Sequence, residues 1–142
     1  MFNGIIEPAT PADHAWIKAL WTKHEDVLGS VFKGVWREFL AGAAWIDVAR
    51  PAEGFQCYRP LSSWLIQSHG MAVVEPGKGV GRALREHLLA WLEPQGRTLT
   101  FSIYADNTAS LALHDRMGFV RVGTTKDSVN GKTIILYRGR HD

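Results

Sequence analysis

Apolar and polar positions along the 142-residue chain recur with two periods, near two residues and near 3.6, which predict strands and helices in turn. The run from Phe2 to Glu7, ended by Pro8, reads as a first strand. Thr10 at the N-cap and Pro11 at the first helical position open a helix that aligns Ala15, Trp16, Ala19 and Leu20 and runs to His24. A second helix, Phe32 to Leu40, stacks Phe32, Val35, Trp36 and Phe39 and stops at Gly42. Strands at Ala44–Ala49 and Phe55–Arg59 flank a hairpin loop, Arg50 to Gly54. Trp64 to Glu75 is a longer strand interrupted by Gly70, where a bulge or a close backbone approach is expected. Past Pro76, a glycine-rich turn leads into a helix with an apolar face of Val80, Ala83, Leu84, Leu88 and Trp91, which ends before Pro94-Gln95-Gly96. Thr98 to Ala105 alternates Leu99, Phe101 and Ile103 against Thr98, Thr100 and Ser102, as a half-buried strand does. A short helix from Asn107 carries Leu111, Leu113 and Met117 to Gly118, and two strands, Phe119–Thr124 and Lys132–Arg138, close the chain around Asn130-Gly131. The order β-α-α-β-β-β-α-β-α-β-β describes an α/β domain with a mixed sheet and helices on both faces.

Composition narrows this further. With 46% hydrophobic and 21% charged residues, the chain has the balance of a globular protein, and its length suits a single domain over residues 1–142. Cys57 is the only cysteine, which rules out an intrachain disulfide and a cysteine-rich zinc centre; no metal site is expected. No basic leader and no long apolar run are present in the sequence, so a soluble, cytoplasmic protein without membrane contact is expected. The net charge of +2 is uneven: residues 1–70 carry six Lys/Arg against seven Asp/Glu, and residues 71–142 carry ten against seven. No basic stripe points to nucleic acid.

The turn Gly77-Lys78-Gly79-Val80-Gly81-Arg82 lies between a strand and a helix. Glycines there allow a tight turn and let backbone N–H groups face a ligand, and the helix N-terminus favours an anion. A Walker loop is excluded because no Ser or Thr follows the lysine, and a Rossmann fingerprint because Arg82 stands where a third glycine belongs. Met71-Ala72-Val73, Gly79-x-Gly81-x-Ala83-Leu84 and Asn107-x-x-Ser110-x-x-Leu113-His114-x-x-x-Gly118-Phe119, read together, resemble the GCN5-related N-acetyltransferase (GNAT) superfamily. The element order looks like that family's topology across essentially the whole chain, with a mostly antiparallel, twisted sheet.

The resemblance implies an acetyl-CoA site. The amides of Gly77, Lys78, Gly79, Val80, Gly81 and Arg82 would bind the pyrophosphate, and Lys78 and Arg82 could add charge. Backbone at Met71, Ala72 and Val73 would pair with the pantetheine arm, an N–H near Met71 would polarise the thioester carbonyl, and Asn107 and Ser110 would contact the arm from the other side. Pro76 stands where the family has Arg or Gln, and the strand-to-turn link is about two residues shorter than is common. Many relatives place a tyrosine acid at the seventh position after the asparagine. Here that position is His114, which would serve through its protonated fraction or in a relay, with activity falling at high pH.

For the base, strand alternation points Gln67, His69 and Met71 to one side, so His69 is the first candidate and Glu75 the second. Asp47 and Glu53 are candidates for an amine-binding mouth, and Trp36, Trp45, Tyr58 and Trp64 for its lining or for core. The expected activity is acetyl transfer to a primary amine of a small molecule or amino acid, in a ternary complex. A macromolecular acceptor, or an inactive acetyl-CoA-binding regulatory domain, is the alternative. The exposed last strands leave room for a homodimer.

Overall fold

A computed structural model describes residues 2–140. Seven strands form one sheet in the order β1-β2-β3-β4-β5-β7-β6: β1 Ile6–Pro8, β2 Trp45–Ala49, β3 Gly54–Pro60, β4 Leu65–Val73, β5 Thr98–Tyr104, β6 Phe119–Lys126 and β7 Thr133–Arg140. Every neighbouring pair is antiparallel except β4 and β5. The helices are α1 His14–Lys23, α2 Glu25–Leu28, α3 Phe32–Leu40, α4 Val80–Leu92 and α5 Thr108–Arg116. The expected element order is present, with one addition: α2 is a single turn that follows α1 across His24 and was not legible as a separate helix. The first strand is shorter than Phe2–Glu7 and shifted to Ile6–Pro8.

Each face of the sheet has its own apolar layer. Ile17, Leu20 and Trp21 of α1 and Phe32, Val35 and Trp36 of α3 pack on Ile46, Val48, Phe55 and Cys57. On the opposite face Leu88, Leu89 and Leu92 of α4 pack with Ile66, Leu99, Phe101, Ile103 and Tyr137. Trp36 and Cys57 are therefore core, whereas Trp64 is half exposed and Trp91, expected on the buried side of α4, stands at its margin against Trp45 and under the Arg97 guanidinium.

The start of the chain is pinned by Asp13. Its carboxylate accepts the Thr10 N–H at 2.9 Å and the Trp16 indole N–H at 2.9 Å, and takes two bonds from Arg50 at the end of β2. The Arg50 bond is the main reason the carboxyl is lowered to about 2. Its folded value lies below the unfolded one, so the stabilisation is complete above the ordinary carboxylate range and is lost as pH falls through about 2. Asp13→Ala is expected to cost on the order of 2 kcal/mol near neutral pH and much less in acid. Urea midpoints measured at several pH values check this, and a pH-independent difference would contradict it.

Candidate active site

β4 and β5 pair in parallel only at their starts, Leu65 to Gln67 against Thr98 to Thr100. Beyond that, β4 continues along β3 while β5 continues along β7, so the sheet forks. Among the described residues no strand lies beside the β5-facing side of β4 from Ser68 to Val73, so its outward N–H and C=O groups can pair with an extended ligand. A cleft of about 310 Å³ occupies the fork, a size suited to a small ligand or the end of a longer one.

A bulge in β4 shapes the apex of this fork. Cys57 pairs with Gly70 and Tyr58 with Ser68, which leaves His69 as the extra residue. Strand parity reverses there. Ser68 reaches Arg85 of α4, yet Gly70, two residues on, faces α1, where a Cβ would meet the Trp21 ring at 2.9 Å. Ala72 packs in the α1 layer, while Met71 and Val73 pack with Val80 and Leu84. Met71 therefore does not share a side with Gln67 and His69 as simple alternation predicted. Met71 and Val73, on the α4 side, and His69, near Arg59 and Glu38, are directed to opposite faces of one opening.

Both ring nitrogens of His69 are enclosed and make no well-formed hydrogen bond among the described residues, although the Gln67 backbone works to raise its pKa. Burial, and secondarily the Arg59 charge, lower its pKa from the ordinary imidazole value. Glu75, the other candidate base, is exposed at the far end of β4, with its carboxylate 3.9 Å from the Lys78 ammonium. It does not line the cleft.

At the open end of the fork the glycine-rich turn enters α4. Gly77 and Gly79 have φ of +82° and +80°, the left-handed region that glycine tolerates best, and a Cβ on Gly77 would point into open space. No side chain caps α4, and its first backbone bond runs from the Ala83 N–H to the Gly79 carbonyl. The N–H groups of Val80, Gly81 and Arg82 thus remain available to an anion. Across the cleft, Asn107 caps α5 by accepting the Ser110 N–H at 3.3 Å, and both residues line the cavity.

His114 is 1% exposed. Its Nδ1 lies 2.7 Å from the Ser110 carbonyl, and its Nε2 accepts the Arg85 Nε–H at 3.1 Å. The carbonyl requires the proton on Nδ1 and the guanidinium requires a lone pair on Nε2, so the ring is neutral. Burial first and the Arg85 charge second lower its pKa to about 3. Its protonated fraction near neutral pH is negligible, which does not suit the acid role that its place in the motif suggested.

Arg85 was not singled out by sequence reasoning. It is buried in the polar chain Tyr58–Asp47–Gln56–Arg85, with Ser68 and His114 as further acceptors. Asp47, expected at a surface mouth, is 4% exposed under α4, and burial raises its pKa. The available signal was position: Arg85 lies one turn from both Gly81 and Leu89, on the inward stripe of α4.

The model of the acetyltransferase (GNAT) family matches residues 9–119. The chain is a GNAT acetyltransferase. No curated protein matches its sequence. Similar solved structures include an N-acetyltransferase from Staphylococcus aureus, 21% identical, with a TM-score of 0.78 over 97% of this chain and 98% of that one. A GNAT-family acetyltransferase from Elizabethkingia anophelis with acetyl-CoA bound is 18% identical, with a TM-score of 0.77 over 99% and 100%. The ribosomal-protein-S18-alanine N-acetyltransferase of Escherichia coli is 19% identical, with a TM-score of 0.74 over 97% and 94%. The GNAT acetyltransferase uses acetyl-CoA, and the uncapped α4 amides and unpaired β4 edge fit an anionic, extended donor. No helix among the described residues is long and apolar enough to cross a membrane.

Proposed function

We propose that this GNAT enzyme transfers the acetyl group of acetyl-CoA to the primary amine of a small molecule or amino acid, by direct attack in a ternary complex. The bound donor supplies an activated thioester. The amides from Gly77 to Arg82 hold its pyrophosphate at the α4 N-terminus, with Lys78 and Arg82 adding charge. The β4 edge at Met71, Ala72 and Val73 holds the arm, and Asn107 and Ser110 close on it from α5. An N–H near Met71 faces the carbonyl oxygen, where it stabilises charge as the bond forms.

The observation that carries the acceptor side is His69. Its two ring nitrogens are enclosed without a well-formed hydrogen bond in a half-buried side chain that lines the cleft, an arrangement that a bound ligand would complete. Neutral and directed to the face opposite the α4 turn, it removes the proton from the attacking amine. Exposed Glu75, next to Lys78, is the lesser candidate. His114 acts as a neutral ring that orients Arg85.

Calorimetry with acetyl-CoA and a thiol-release assay across amines, amino acids and peptides test the reading. Binding with turnover of small amines is expected. No binding would overturn it, and turnover of peptides alone would move the acceptor to a macromolecule. His114→Phe is expected to lower kcat about tenfold with little change in acetyl-CoA affinity, as for a group that supports charge stabilisation without making it; unchanged kcat would remove it from the mechanism.

A further inference from the structure

Arg85 presents an unusual electrostatic situation. It is 4% exposed, with Nε on His114 Nε2 at 3.1 Å and Nη1 on Gln56 Oε1 at 3.1 Å and on Ser68 Oγ at 2.6 Å. All three acceptors are uncharged. The carboxylate that ends the chain, Asp47, is reached only through the Gln56 amide, which gives it a 3.1 Å bond. Nη2 has no protein partner among the described residues, and the side chain forms part of the cleft wall. A guanidinium withdrawn from water without a carboxylate against it is costly, so a positive charge fixed at a cleft wall calls for an anion.

The anion follows from the direction of the fork. Pyrophosphate is held at the open end, by the turn after Val73, and the free edge of β4 leads back from there to Ser68, where β4 and β5 close together. A donor threaded along that edge brings its reacting end to the apex, beside Ser68 and Arg85. We propose that Arg85 is the group that takes up the negative charge of the departing coenzyme A thiolate.

The amine nitrogen bonds to the acyl carbon and the carbon–sulfur bond breaks, leaving its electron pair on sulfur. The surplus amine proton goes to His69, and the thiolate, paired with Arg85, takes a proton from solvent on release. No protonated histidine is needed, which fits the neutral His114 ring. His114, Gln56 and Ser68 position the guanidinium and take up three of its N–H groups while adding no charge that would cancel it.

The inference rests on the proposed placement of acetyl-CoA along β4, and titration of the thiol of coenzyme A bound to the enzyme, by far-ultraviolet thiolate absorbance, tests it apart from that reading. In the wild-type complex the bound thiol should titrate about one unit or more below free coenzyme A, a tenfold gain in thiolate fraction. Arg85→Met should abolish the shift and lower kcat about 10²-fold with acceptor KM little changed, and Arg85→Lys should keep part of both. An unshifted thiol in a wild-type complex that does bind coenzyme A overturns the inference alone, whether or not the methionine variant folds. Failure to bind coenzyme A overturns the reading beneath it as well. A loss confined to acceptor KM would assign the guanidinium to an acceptor carboxylate and also overturn it.

Discussion

His69→Gln is expected to lower kcat by about 10²- to 10⁴-fold, the usual contribution of a positioned general base, while acetyl-CoA binds as before. The separation follows from the bulge. Because β4 reverses its parity at His69, this side chain leaves the sheet on the side away from the α4 turn, and its loss leaves the amide cradle and the Met71 to Val73 edge in place. Glutamine preserves bulk and polarity but cannot accept a proton at neutral pH. The pH profile gives a second readout. Burial lowers the His69 pKa from 6.5, so the ring stays neutral to lower pH than a free imidazole, and the acid limb of kcat/KM should fall below pH 6.5. His69→Gln should remove that limb. Full turnover in the variant, or an acid limb that persists unchanged, would eliminate His69 as the base and return Glu75 to consideration.

The periodicities carried most of the fold because each element has one clear apolar side. Phe32–Leu40 was predicted to its terminal residues, since Phe32, Val35 and Trp36 lie on one stripe that packs against the sheet. The fork is not legible in the periodicities, because a three-residue parallel pairing leaves no mark in the apolar pattern of either strand. Gly70 signalled a bulge, but the identity of the extra residue depends on the register with β3, which a single strand's sequence does not contain. Simple alternation therefore groups Met71 with Gln67 and His69, whereas the bulge turns Met71 to the α4 side; His69 lines the cleft. Asp47 and Arg85 were obscured for a related reason. A charged residue within an apolar stripe can be a surface position or part of a buried polar network, and only the Gln56 amide between β2 and α4 decides it.

Trp21→Ala is expected to destabilise the protein by about 3–5 kcal/mol, the range for truncating a fully buried aromatic. It should also weaken turnover in whatever fraction stays folded. Trp21 is 0% exposed, stacks on Phe55 with ring centroids 5.9 Å apart, and donates its indole N–H to the Gly29 carbonyl at 2.8 Å. That bond ties the end of α2 to α1, and Val27 and Leu28 of α2 form one margin of the cleft. The other side of the ring lies where a Gly70 Cβ would stand, at 2.9 and 3.0 Å from two ring carbons. One side chain thus braces both the residue beside the bulge and the cleft margin. Gly70→Ala should by itself cost about 1–3 kcal/mol through overpacking, and adding it to Trp21→Ala should cost far less, because the ring it strikes is gone. Chemical denaturation of the two single variants and the double variant measures this coupling. Additive losses would mean that the ring and the glycine stabilise the protein independently, and that the bulge is held by its β3 register alone.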